Sequence, residues 1–263
     1  MIEADGLSLG TRTVIRLGAL ASRAIPSKII YGSNAAALAH TRHGYPADAS
    51  VVIPNGIDVE RFRPDEQHRS SIRTELGFAD DAIVVGLVGR FDPLKDHRTF
   101  IEAAARVPGV VFVLAGDGIT SDNIDLMTWI RDAGIERHTH LLGRRMDIER
   151  VTAAFDVAVL SSYSEGFPNV VAEAMACGVP CVVTDVGDAA EIVADTGVVV
   201  PPRDAAALAA GIIQLISEDR RQRGARARAR IESEYSLDAM VARYDALHAE
   251  VSQSPLPASR GEG

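Results

Sequence analysis

From residue 82 onward, continuous apolar runs alternate with helical stretches at a spacing that leaves few folds open. "AIVVGLVG" (82–89) leads into the helical segment "DHRTFIEAAARV" (96–107) and a second run, "VVFVLAG" (110–116). "NIDLMTWIRDAG", "THLLG" (139–143) and a short helix from Asp147 follow. Then come "DVAVLSS" (156–162), the helix "PNVVAEAMACG" (168–178) closed by Gly178, and the runs "PCVVTD" (180–185) and "GVVVPP" (197–202). Strands without a polar face must be covered on both sides, and strands separated by helices pair in parallel. The rhythm therefore predicts an α/β protein with a doubly wound parallel sheet and right-handed crossovers. Residues 204–234 read as two helices, and "SLDAMVARYDALHAEV" (236–251) as another behind a Ser236 cap. Residues 252–263 are expected to form a disordered tail.

The first seventy residues share this texture but hold fewer elements. A helix across residues 11–24, a strand in "KIIYGS", a helix in "NAAALAHTRHG" and a strand in "SVVIPNG" are expected. Two strands do not make an independent doubly wound sheet. Residues 1–70 are therefore read as the tail end of another Rossmann-like domain, connected through "NGIDVERFRPDEQ" to a second domain over residues 71–235.

The chain's 263 residues suffice for an ample core, and aromatics are only 5%, as suits an aliphatic α/β interior. A net charge of −9 argues against a nucleic-acid partner held by phosphate contacts. The basic cluster "RRQRGARARAR" (Arg220–Arg230) is read as the solvated face of a helix. Two cysteines, Cys177 and Cys181, lack the further ligands of a zinc site and are read as reduced small hydrophobes in a cytosolic protein. No signal peptide or twenty-residue apolar span occurs, consistent with a cytoplasmic chain. Arg12, Arg16, Arg23 and Lys28 flank apolar residues near the N-terminus. A packed amphipathic helix is preferred there over peripheral contact with the inner face of an anionic membrane.

In an open parallel sheet, ligands bind beyond the carboxyl ends of the strands. Gly89-Arg90, Lys95, Gly116-Asp117-Gly118, Gly143-Arg144-Arg145 and Ser161 to Asn169 all fall there. Arg90 offers a planar fork and Lys95 a point charge, which suits a diphosphate. The equally weighted alternative is exposed cations paired with Asp92 or Asp96. Asn169 opens a helix, where free N–H groups and the dipole attract anions. Glu165 and Glu173 stand on either side of that helix start. A metal pair is disfavoured because hard-metal sites gather more oxygen ligands and no Asp-x-Asp occurs. Paired carboxylates also serve glycosidases, yet a hydrolase needs no phosphate crevice. Accepting hydrogen bonds from sugar and ribose hydroxyls fits better. There is no G-x-G-x-x-G and no P-loop. His40, His43, His68, His97, His138, His140 and His248 show no metal spacing, and each is read as exposed or locally capped.

The runs "VGRFDPLKDHRTFIEAAA", "LAGDG", "LLGRR" and "SSYSEGFPNVVAEAMACGVPCVVTDVGDAAEIV", in this order, resemble the retaining nucleotide-sugar glycosyltransferases of family 4. The likeness covers most of residues 50–250, beginning at "VIPNGIDVERFRP", and E-x7-E is its most specific element. It implies a GT-B fold, two Rossmann-like domains across a cleft, with the donor domain complete here and the acceptor-side domain partial. It implies that Arg90 and Lys95 hold the donor diphosphate, that Glu165 serves the donor sugar and reacting face, and that Glu173 grips the ribose. Backbone groups of Gly166, Phe167, Pro168 and Asn169 would line the sugar pocket. Gly89 would lie at the donor, and the loop Gly143-Arg144-Arg145 near the base. No metal or other cofactor is implied. Helix 236–251 would cross back to the first domain, and Gly187-Asp188, where the family commonly has two glycines, would add a negative charge near the diphosphate.

The expected activity is transfer of a sugar from a UDP- or GDP-sugar onto a saccharide or lipid-linked acceptor, in polysaccharide or cell-envelope glycan biosynthesis. The competing expectation is a nucleotide-sugar-binding module that is catalytically incomplete.

Overall fold

The computed structural model describes residues 8–79 and 81–253. Two parallel sheets organise them. The smaller pairs β1 (Ile29–Tyr31) with β2 (Ser50–Val52), accompanied by α1 (Leu9–Ala21) and α2 (Asn34–Arg42). The larger has six strands: β3 (Ile83–Val88), β4 (Val110–Ala115), β5 (Thr139–Leu141), β6 (Val157–Leu160), β7 (Cys181–Thr184) and β8 (Val198–Val200). Their spatial order is β5-β4-β3-β6-β7-β8. The chain thus winds outward from β3 to one edge, returns to β6 and winds to the other. Between β3 and β6 the winding reverses, and such a switch point opens a crevice at the strands' carboxyl ends.

The strand period of two decides which helices cover which face. Val84, Val113, Cys181 and Val183 point into one core layer, with Ile72 of α3 (Glu66–Glu75), Val151 of α6 (Ile148–Ala153), Met175 of α7 (Asn169–Ala176), Ile192 of α8 (Ala189–Val193) and Ile231 of α10 (Arg220–Glu234). Val85, Leu87, Phe112 and Leu114 point into the other, with Phe100 of α4 (His97–Ala104), Leu126 and Ile130 of α5 (Ile124–Asp132), and Leu208 and Ile212 of α9 (Ala205–Ser217). Both faces are therefore covered, as the apolar runs require.

Three sequence expectations are corrected. The basic cluster of α10 is a solvated face only in part, with Arg221 and Arg226 exposed and others turned inward. Arg228 donates to the carbonyls of Val59, Phe62 and Ala176, and Arg230 to those of Glu191 and Ile192. These arginines satisfy carbonyls near the ends of α7 and α8, which have no partner within their helix, and in the connection ahead of α3. The N-terminal helix ends at Ala21 and is packed only in part: Ala19 is buried, while Val14, Leu17 and Leu20 are exposed. Finally, Ser252 and Gln253, expected in the tail, complete α11 (Leu237–Gln253); the remainder of the expected tail lies outside the described residues.

α11 links the two sheets. Leu237 N–H donates to Ile57 O at 3.0 Å, Ile57 N–H to Tyr235 O at 2.8 Å, and Lys28, just ahead of β1, pairs with Glu250 at 3.2 Å.

Candidate functional site

The rim of the crevice begins where β3 and β4 end. Gly89 N–H donates to Ala115 O and Gly116 N–H to Gly143 O, each at 2.8 Å, so three strand ends are laced together. Gly116 adopts φ +155°, and a Cβ there would sit 2.0 Å from Gly89 O, so no larger residue fits. This close approach sets the backbone from which Arg90 and the turn Pro93–Lys95 depart. Asp92 caps that turn, accepting from Leu94 N–H at 2.8 Å, and Asp96 follows in the left-handed region, φ +48°. Asp96 caps α4 through Thr99, and the chain reversal at this elbow turns Lys95 toward β6.

Lys95 Nζ lies 2.6 Å from Glu165 Oε1. Ser162 Oγ donates to the same oxygen at 2.6 Å, leaving Glu165 Oε2 without a hydrogen bond among the described residues. Ser161 Oγ holds the Lys95 carbonyl at 2.8 Å, Tyr163 N–H donates to Leu94 O at 3.0 Å, and Thr184 Oγ1 donates to Ser162 O at 2.6 Å. The cation and carboxylate are thus fixed from below by a buried serine pair. Sequence reasoning placed Ser161 and Ser162 on the rim without giving either a role. The available signal was two polar residues closing an apolar strand, with glutamate three positions on.

Arg90 lies at the same rim, 65% exposed, with Nε 3.1 Å from Asp92. The paired-cation alternative thus holds for Arg90 toward Asp92; Lys95 pairs instead with Glu165. Gly166 and Asn169 are exposed, Phe167 half-buried against Tyr235 and Pro168 buried. α7 opens at Pro168 with no side-chain cap, unlike α2, α4 and α9, so its first N–H groups are left for another acceptor. One turn inside α7, Glu173 is half-buried and accepts no hydrogen bond among the described residues; burial raises its pKa and the Arg61 guanidinium partly offsets this. Arg61 was missed, since its position in an irregular connection gave no pattern. It donates to Glu149 at 2.9 Å. Gly143 takes φ +61° at the end of β5. Arg144 is exposed and unpaired among the described residues, while Arg145 is committed to Glu75 and Asp147.

Two further residues depart from expectation. His97 is neither exposed nor capped: it is 2% exposed, stacks on Phe91 at 5.5 Å, and neither ring nitrogen finds a partner. Burial lowers its pKa to about 4, and the Lys95 charge adds to this while Asp96 and Asp92 oppose it. The Asp188 carboxylate is no loose negative charge. It accepts from Asn34 N–H at 2.7 Å and Ala35 N–H at 2.8 Å, at the start of α2.

A cavity of about 660 Å³ lies at the opposite rim, where Ile83, Asp156 and Pro180 begin their strands. Its Arg69 and Arg73 pair with Asp156, at 2.7 and 2.6 Å, and the four arginines that line it, with Arg220 and Arg221, are outnumbered by six carboxylates, Asp65, Glu66, Asp81, Asp156, Glu218 and Asp219. No group of three or more His, Cys, Asp or Glu side chains among the described residues could hold a metal ion. No helix among them is long and apolar enough to cross a membrane.

A six-stranded doubly wound sheet, a second smaller parallel sheet and a polar rim at the switch point define an α/β protein of the GT-B class. The sequence profile described as "Glycosyl transferases group 1" matches residues 68–232. The chain belongs to that family. It is 37% identical over 214 residues to the D-inositol 3-phosphate glycosyltransferase of Mycobacterium marinum, covering 76% of this chain and 45% of the relative. The chain thus spans about half the length of the curated relatives it matches. The crystal structure of Anabaena HepE in complex with UDP superposes with a TM-score of 0.86 at 28% identity, over 95% of this chain and 70% of that one. A second HepE structure holds UDP-glucose, with a TM-score of 0.82 at 27% identity, over 91% and 68%. The C-terminal domain of a group 1 glycosyl transferase, LpcC of Francisella tularensis, aligns over its whole length with 69% of this chain, at 25% identity and a TM-score of 0.61.

Proposed function

We propose that this chain binds a nucleoside-diphosphate sugar at the β3–β6 switch point, as the donor side of a retaining glycosyltransferase. The observation that carries the reading is the Lys95–Glu165 contact, 2.6 Å, at the rim that also holds the uncapped start of α7. A cation and open N–H groups suit a diphosphate, and the free oxygen of Glu165 suits a hydroxyl of the attached sugar. Glu173, half-buried and without a donor, suits ribose hydroxyls, because a desolvated carboxylate gains most when hydrogen bonds reach it. Arg90 completes the diphosphate clamp, backbone groups from Gly166 to Asn169 line the sugar, and Gly89, Gly143 and Arg144 border the nucleotide. UDP and UDP-glucose in the HepE structures support a uridine donor, with GDP-sugars as the other candidates.

As the glycosidic bond breaks, charge accumulates on the leaving diphosphate. Lys95, Arg90 and the α7 N–H groups are preorganised to oppose it, and losing one such donor costs about 2.7–4 kcal/mol of barrier. These groups supply the positive charge without a metal ion. Residues 71–235 form the donor unit in this reading, residues 1–70 belong to the acceptor side, and helix 236–251 ties the two. Transfer further requires a saccharide or lipid-linked acceptor, to which this reading assigns no described residue; donor binding is the part proposed of these residues themselves. A lipid-linked acceptor would bring the chain to the cytoplasmic face of a membrane, where Val14, Leu17 and Leu20 are exposed to meet it.

Calorimetric titration tests the reading. UDP is expected to bind at least tenfold more tightly than UMP, and Lys95→Ala to remove most of that difference, since one charge-assisted hydrogen bond contributes about 1.5–3 kcal/mol. Equal affinity for UDP and UMP in the parent chain would overturn it.

A further inference from the structure

The loop that carries Glu165 is held from the far side of the crevice. Asp188, 6% exposed, uses both carboxylate oxygens on α2, at 2.7 and 2.8 Å, while its own N–H donates to Gly166 O at 2.9 Å. Gly187 lets this happen: at φ +56° a Cβ would lie 2.4 Å from Gly166 O and 2.7 Å from Glu165 O. Glycine here brings two loops into backbone contact, and the carboxylate one residue later reaches the other sheet unit. The Ser33 hydroxyl occupies Ala36 N–H at 3.0 Å, so Ser33 and Asp188 together satisfy three successive donors of α2. Asn34 Nδ2 adds a bond to Glu191 at 2.7 Å.

Two more contacts join the same pair of surfaces. Ser33 Oγ lies 3.4 Å from where a Cβ of Gly166 would be, and Asn55 Nδ2 donates to Asn169 Oδ1 at 3.0 Å. The small unit therefore meets the segment from Glu165 to Asn169 near its start and at its end. The hydrogen bonds from Asp188, Asn34 and Asn55 are directional, so they fix an angle and a register where apolar packing would tolerate sliding.

We propose that Asp188 is a positioning residue: its bridge to the start of α2 locks the small unit against the loop Glu165–Asn169 and so sets the shape of the sugar-binding wall. The ligand in this statement rests on the donor reading; the bridge does not. A carboxylate is required. An amide offers one acceptor oxygen and would turn an N–H₂ toward an N–H, so Asp188→Asn is expected to behave like Asp188→Ala.

The test measures the bridge and the wall separately. Cysteines placed at exposed Leu38 on α2 and exposed Ile213 on α9 carry spin labels; native Cys177 and Cys181 are buried, with thiol pKa values raised by burial, and stay unlabelled. The distance distribution is expected to be narrow in the parent and broadened in Asp188→Ala and Asp188→Asn, with or without nucleotide. Asn34→Pro removes the N–H donor to Asp188 at the first helical position, where proline is tolerated after extended Ser33, and also the Nδ2 donor to Glu191, a loss that Asn34→Ala measures by itself. The part of its effect beyond that of Asn34→Ala is expected not to add to that of Asp188→Ala, as for groups in one interaction. By calorimetry, Asp188→Ala is expected to bind UDP within about twofold of the parent, while the advantage of UDP-glucose over UDP falls about tenfold. An unchanged distance distribution overturns the bridge, and an unchanged UDP-glucose to UDP ratio overturns its positioning role. If the parent binds neither nucleotide, the donor reading fails while the distance arm still decides the bridge.

Discussion

Glu173 shows what a side chain gives up when it is placed for a ligand. Burial in α7 raises its pKa above the ordinary 4.5, so the native state binds more protons than the unfolded chain across that window. Stability therefore falls as pH rises through it, the reverse of a salt-bridged carboxylate. Glu173→Gln is expected to melt at a higher temperature than the parent at neutral pH, with the gap closing below pH 4.5. A gap that stays constant with pH in thermal scans would mean the carboxylate is solvated. Lys95 and Glu165 were legible in the sequence because glycine, cation and carboxylate fall at successive strand ends. Their anchors were not. Ser161 reaches the Lys95 carbonyl only because β3 and β6 are neighbours, and Asp188 meets α2 across 154 positions of chain. His97 misled for the same reason: nothing local shows that the loop at Gly89 and the ring of Phe91 cover it.

At the scale of elements, the strands were the clearest signal, since a run apolar on both faces has one place to go. α3 went unnoticed because "EQHRSSIRTE" buries little besides Ile72, and its helix is held by Arg69 and Arg73 reaching Asp156. α8 is too short to show a period. α10 misled through composition, Arg228 and Arg230 being polar yet turned inward. Arg228 is the member that matters most, since three carbonyls from two segments converge on it. Arg228→Ala is expected to cost about 2–3 kcal/mol in urea unfolding, and Arg228→Lys to restore little, because an ammonium lacks the planar fork. Arg226, exposed on the same helix, serves as control; its replacement by alanine is expected to stay within about 0.5 kcal/mol. Equal costs for the two would return the cluster to the solvated face first read from sequence.

At the scale of the molecule, the six-stranded order puts β3 and β6 side by side, and every residue proposed to touch the diphosphate leaves from one of those strands or the helix after it. The opposite rim holds a cavity of about 660 Å³ whose four arginines are outnumbered by six carboxylates. The two ends of one sheet thus make competing claims on an anionic ligand, and the uncapped start of α7 favours the switch point. A crystal structure of the chain grown with UDP decides between them. The diphosphate is expected beside Lys95 Nζ and the first N–H groups of α7, with the ribose at Glu173. UDP seated instead among Arg69, Arg73 and Arg220 at the far rim would contradict the account.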